Sequence, residues 1–182
     1  MGPPCILMPG YLRRVEPGVH FYCDLDYDPF LFMQKNGKQY GFNIALQEIP
    51  ETIPTLWDHT MNFAHLNNLN TTLLRFFGNP MDGYNLCHFW SNFEIANLNL
   101  WRRPEYQAYF NYLDSTGNFF YERWGDAIVH SLAVGMFLNK SEVHFFDDIG
   151  YKVRGSRIDA HAVFTLNFMH SRSLRFDLIC LA

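Results

Sequence analysis

The chain has 182 residues, of which 48% are hydrophobic, 18% aromatic and 18% charged, with a formal net charge of −4. That is enough for one domain with a sizeable core; it excludes a disordered chain and argues against a nucleic-acid reader working through a basic field. No run approaches the roughly 18–20 apolar residues of a membrane span, and no charged start precedes an apolar stretch as a signal peptide would require.

In chain order, residues 1–10, with Pro3, Pro4, Pro9 and Gly10, read as an irregular lead-in. Residues 19–26 are rich in β-branched and aromatic types and predict a strand. Asp28-Pro29 opens a short helical turn to Met33, Asn36-Gly37 is a turn, and residues 40–46 predict the next strand. A helix is expected over 50–66 and a loop over 67–83, where Gly78, Asn79-Pro80 and Asp82-Gly83 cluster. Residues 86–95 read as a strand running into a site loop.

Arg103-Pro104-Glu105 starts a helix whose Tyr106, Tyr109, Phe110 and Leu113 follow the i, i+3, i+4, i+7 rule, with Gly117 as its stop. A second helix is expected over 126–138, with Val129, Leu132, Ala133 and Met136 on one face, followed by a short strand over 142–146. Strands alternating with helices indicate an α/β domain. Residues 153–182 contain no Pro, Tyr, Trp, Lys or Glu, so the chain divides into 1–152 and a compositionally distinct tail, 153–182.

Cys5, Cys23, Cys87 and Cys180 lack the CxxC spacing of a zinc ribbon or thioredoxin-type site; in an oxidising compartment they allow three full pairings. Asp24, Asp26 and Asp28 would share one side of a strand, and Asp24-Leu25-Asp26 is a D-x-D, either a divalent-ion site or a solvated edge. Glu16 precedes the Pro17-Gly18 reversal. Glu94, among Phe89, Trp90 and Phe93, is either a sugar-binding carboxylate in an aromatic rim or a core-edge acid paired with an Arg. Glu122 and Asp126 lie among aromatics at a predicted helix start. Asp126 is either an N-cap or an acid aimed at a hydroxyl or a metal, and His130 follows one helical turn later. His144, Asp147 and Asp148 could in principle be metal ligands, or simply end a strand in a polar turn.

Seven blocks occur in a fixed order: Arg14-Val15-Glu16-Pro17-Gly18-Val19, CDLDYDPF at 23–30, YGFNIAL at 40–46, IPTLW at 53–57, CHFWSNFEIAN at 87–97, FFYERWGDA at 119–127 and HFFDDIGY at 144–151. Together they closely resemble glycosyltransferase family 15, the fungal α-1,2-mannosyltransferases, over roughly residues 11–152. The resemblance implies the C-terminal part of a mixed α/β GT-A type domain, with the N-terminal Rossmann-like half missing. It implies retaining transfer of mannose from a GDP-mannose donor to the 2-hydroxyl of a mannose-terminated N- or O-linked glycan acceptor, with Mn²⁺ at the donor diphosphate. It also implies a Golgi type II membrane protein, whose anchor would lie outside these residues.

By motif, Glu16 resembles the family's metal-binding acid. Glu94 resembles its nucleophile or stabilising carboxylate, and Asp126 a second active-site acid near the acceptor. Trp90, Trp124 and Glu122 would be substrate-facing. The chain departs from the family at position 153, where Val153 stands in place of a metal-binding His. That departure implies the alternative of a catalytically inactive fragment that keeps only the acceptor-side glycan-binding residues.

Overall fold

The computed structural model describes residues 6–8, 10–15, 19–21, 24–69, 72–78 and 83–153. Strands β1 (Ile6–Met8), β2 (Tyr11–Val15) and β3 (Val19–Phe21) come first, then helix α1 (Pro29–Lys35) and strands β4 (Tyr40–Phe42) and β5 (Ala45–Gln47). A 3₁₀ turn at Pro50–Thr52 leads to α2 (Leu56–Leu66) and α3 (Thr72–Phe76). Strands β6 (Cys87–Phe89) and β7 (Phe93–Asn97) precede four helices: α4 (Leu98–Arg102), α5 (Pro104–Ser115), α6 (Asn118–Tyr121) and α7 (Asp126–Phe137). The described part closes with β8 (Val143–Phe145) and β9 (Tyr151–Val153).

The largest sheet runs β1-β2-β7-β4-β8, antiparallel except for the parallel β4–β8 pair. Two smaller ladders join β3 to β9 and β5 to β6. The mixed α/β class expected from the sequence is what forms.

Side-chain alternation assigns the two faces of the main sheet. Tyr40, Phe42, Ala96, Val143 and Phe145 pack on one side in a core with residues of α2, α5 and α7; Phe42 stacks on Phe89 with ring centroids 4.0 Å apart. Tyr11, Phe93, Ile95 and Phe146 pack on the other side with Met33 of α1. Glu94 pairs in register with Phe42 and with Arg14, so it lies on the helix-covered face.

Several expectations are corrected. The lead-in contains a strand, β1, which pairs with β2. The strand expected over 19–26 ends at Phe21, so Asp24, Asp26 and Asp28 are not one strand face. Asp28 instead caps α1, its Oδ1 accepting the Phe30 and Leu31 N–H groups at 2.8 and 3.2 Å. Residues 40–46 form two strands in different sheets; between them Asn43 Nδ2 donates to the Ile149 carbonyl at 2.8 Å and the chain bends.

The loop expected over 67–83 contains α3, whose Leu73 and Leu74 are buried. This helix lies so close to α7 that a Cβ on Gly135 would fall 2.9 Å from Phe77 Cε2 and 3.3 Å from Leu74 Cα. The helices read from periodicity, α5 and α7, form as expected, and Gly117 stops α5 with a left-handed φ of +77°. Phe110, assigned to the core stripe of α5, is exposed while Tyr106, Tyr109 and Leu113 are buried.

Candidate functional site

The site forms where the middle of the main sheet meets the start of α7. Arg14 on β2 and Glu94 on β7 are direct cross-strand partners, so their side chains emerge side by side. Helix α7 begins at Asp126, and His130 follows one turn later on the same helix face. That face meets the sheet in two pairs. Arg14 Nη1 forms an ion pair with Asp126 Oδ2. His130 Nδ1 lies 3.2 Å from Glu94 Oε2.

Asp126 is not the N-cap; Gly125 holds that position, and Asp126 is the first helical residue. An acid there is favoured by the helix dipole, and Arg14 adds a second cationic neighbour. Its side chain remains 44% exposed, so solvent and ligands can reach it. Arg14 Nη1 also donates to Ser91 Oγ at 3.2 Å, which ties the loop between β6 and β7 to the same guanidinium.

Glu94 is 1% exposed. A carboxylate taken out of water needs donors or a cation to remain ionised at low cost. The Tyr40 hydroxyl supplies one, donating to Oε2 at 3.1 Å. Burial, reinforced by the adjacent carboxylate, pushes the Tyr40 phenol well above its ordinary range, so it keeps its proton. Tyr106 is likewise pushed up to about 12, mainly by burial and then by Glu94. His130 lies flat against Trp101, with centroids 4.2 Å apart and planes 21° from parallel.

Trp90 sits in the β6–β7 loop beside Ser91, its backbone N–H donating to the Ile44 carbonyl at 2.9 Å and its side chain partly buried. Trp124 and Glu122, both expected to face substrate, are hydrogen-bonded to each other. Trp124 is 5% exposed, edge-on to His59 and Phe119, and its Nε1–H donates to Glu122 Oε2 at 2.7 Å. The Glu122 carboxylate also accepts the Thr55 hydroxyl at 2.6 Å and the Thr55 N–H at 3.3 Å. These contacts tie the segment before α7 to the start of α2.

Glu16 lies outside the described residues. Val153 is in register with Val19 on β3, and valine as a residue type offers no metal-ligating atom. His144 is packed between Phe32 and Phe146, each 4.5 Å away by centroid, and Asp148 Oδ2 accepts the Tyr27 hydroxyl at 2.7 Å. Among the described residues no group of three or more His, Cys, Asp or Glu is arranged to hold a metal ion. The described residues therefore do not make up the ligand set expected for Mn²⁺. Cys87 is fully buried and disulfide-bonded.

In the sequence, Arg14 and Tyr40 stand inside the ordered motifs with nothing local to mark their place beside Glu94. The one available signal for the second pair was the four-residue spacing of Asp126 and His130.

The model of the family described as "Glycolipid 2-alpha-mannosyltransferase" matches residues 8–161. The chain is 52% identical over 141 residues to the probable mannosyltransferase MNT3 of Candida albicans, covering 78% of this chain and 37% of that protein. It is 55% identical over 142 residues to a glycolipid 2-alpha-mannosyltransferase of Saccharomyces cerevisiae, covering 76% of this chain and 32% of that one. The Mn/GDP form of core-mannan synthase A (CmsA/Ktr4) from Aspergillus fumigatus superposes with a TM-score of 0.74 at 46% identity, over 79% of this chain and 42% of that chain. The GDP complex of the mannosyltransferase Ktr4p from S. cerevisiae gives the same TM-score and identity, over 80% and 40%. The chain thus spans roughly a third to two fifths of the length of these relatives.

Proposed function

The chain belongs to the glycolipid 2-alpha-mannosyltransferase family, and from that premise we propose that it carries the Glu94–Asp126 half of the active site of a retaining α-1,2-mannosyltransferase. The donor is GDP-mannose and the acceptor a mannose-terminated N- or O-linked glycan. The observation that carries the reading is that two carboxylates adjoin Arg14, Glu94 as its cross-strand neighbour and Asp126 through an ion pair.

In the transfer, the bond from mannose C1 to the GDP oxygen breaks with its electron pair, and the acceptor 2-hydroxyl oxygen bonds to C1. The hydroxyl proton leaves with the diphosphate or to solvent. Glu94 is the buried anion that stabilises the electron-poor C1, because a fixed charge in a water-poor site acts with little screening. Asp126, half-open to solvent, receives the acceptor hydroxyl. Trp90 is the aromatic surface beside the sugar.

Mn²⁺ belongs to this proposal through the Mn/GDP-form relative, with Glu16 as the residue of this chain that would hold it. The proposed compartment is the Golgi lumen, in a type II membrane protein. The buried disulfide at Cys87 fits an oxidising lumen; no helix among the described residues is long and apolar enough to cross a membrane. The division into a catalytic part to residue 152 and a divergent stretch from 153 is part of the same proposal.

Val153 supports a second reading, in which the chain binds glycan without transferring mannose. Incubating the full chain with GDP-mannose and mannobiose, with and without Mn²⁺, separates the two. Formation of an α-1,2-linked trisaccharide supports the transferase. Mannobiose binding without product, unchanged by metal, supports the second reading and sinks the first.

A further inference from the structure

The Glu94 carboxylate is held unevenly. Oε2 accepts the Tyr40 hydroxyl at 3.1 Å and meets His130 Nδ1 at 3.2 Å, whereas no donor among the described residues reaches Oε1. An ionised carboxylate only accepts, so this contact requires a proton on Nδ1. The imidazole is fixed from outside as well. Trp101 stacks on it at 4.2 Å and also meets the Tyr40 ring edge-on at 6.2 Å, while Tyr106 closes the edge at 6.3 Å. One indole therefore braces both groups that hold Oε2.

We infer that His130 is a positioning residue for Glu94: together with Tyr40 it pins one carboxylate oxygen and leaves Oε1 as the single oxygen presented to the sugar. The inference rests on the transferase reading above. His130 itself touches no substrate. The terminal torsion of a Glu side chain is broad and roughly two-fold, so one donor alone holds the carboxylate plane loosely. Two donors from different elements, β4 and α7, hold it in one orientation. The same turn of α7 that carries Asp126 to Arg14 carries His130 to Glu94, so helix docking sets the acceptor-side acid and the buried anion together.

The test uses the full chain, with GDP-mannose and mannobiose as substrates and the variants His130→Ala, His130→Asn and Glu94→Gln. His130→Ala should lower kcat by about 10- to 100-fold while both KM values stay within about twofold, the scale expected for a displaced catalytic group. His130→Asn places an amide N–H where Nδ1–H stood and should recover activity to within about fivefold of wild type. Wild-type kcat in His130→Ala, or no recovery in a folded His130→Asn, overturns the inference.

A second readout needs no turnover. Nitrogen-15 NMR of the imidazole at pH 7.5 should show the proton on Nδ1, with its resonance moving upfield in Glu94→Gln. An Nε2–H tautomer in the wild type overturns the inference. Absence of transfer by the wild type overturns the transferase reading alone, and the NMR result still decides whether His130 holds Glu94.

Discussion

Arg14 on β2 forms an ion pair with Asp126 at the head of α7 and is the cross-strand neighbour of Glu94, so one strand residue adjoins both candidate acids. Its side chain and that of Asp126 are 26% and 44% exposed. Partly exposed pairs contribute roughly 0–1 kcal/mol to stability, because water screens them and long side chains lose freedom. Arg14→Ala should therefore change the unfolding free energy by no more than about 1 kcal/mol. The same variant should lower kcat/KM by about 100-fold or more, as loss of a preorganised cation does. Urea unfolding together with steady-state kinetics checks both; a large stability loss would make Arg14 a structural residue first.

Glu122 joins Thr55 to Trp124 through three accepted hydrogen bonds. Glu122→Ala leaves the buried Trp124 Nε1–H and the Thr55 N–H without this partner. An unsatisfied buried donor costs about 1–3 kcal/mol, so the variant should be destabilised by about that much. The KM for mannobiose should stay within about twofold of wild type if Glu122 is architectural, since uniform binding is then untouched. A rise in KM with unchanged stability would place Glu122 and Trp124 at the sugar site.

Gly135 on α7 faces Phe77 and the backbone of α3. Alanine is favoured over glycine within a helix by about 1 kcal/mol. Against that gain stands a Cβ placed 2.9 Å from Phe77 Cε2 and 3.3 Å from Leu74 Cα, and backbone cannot swing aside as a side chain can. Overpacking of this kind costs about 1–3 kcal/mol, so Gly135→Ala should be net destabilising by up to about 2 kcal/mol. Thermal unfolding decides it, and a raised Tm would show that α3 gives way.

His144 and His88 both titrate below their ordinary value of 6.5. Burial is the main cause for each; for His144 the Lys38 charge adds to it. The neutral form is the folded form, so below pH 6.5 the unfolded chain binds more protons than the native one. Their contribution to stability is therefore fully present above about pH 6.5 and is lost as pH falls through that value toward the folded pKa. Stability measured in urea should fall between pH 7.5 and 5.5, and His144→Phe should flatten that fall. An unchanged slope in the variant would remove His144 as a cause.

The sequence by itself determined what is local. Helices α5 and α7 were legible because apolar residues at helical spacing report one buried face, and Pro104 and Gly117 act through their own backbone. Glu94 and Asp126 are legible as candidate site acids only through the ordered motifs. Tertiary structure alone decided α3, a five-residue helix in polar surroundings that exists because Leu73, Leu74 and Phe77 reach the core. It alone decided the break of residues 40–46 into two sheets, since strands of three residues carry too little alternation to mark their ends.

It also joined Trp124 to Glu122 and gave His130 a partner 36 positions away. Periodicity tells a side chain that it will be buried, but not against what. That partner follows from strand register and helix docking, which are set by the packing of the whole core.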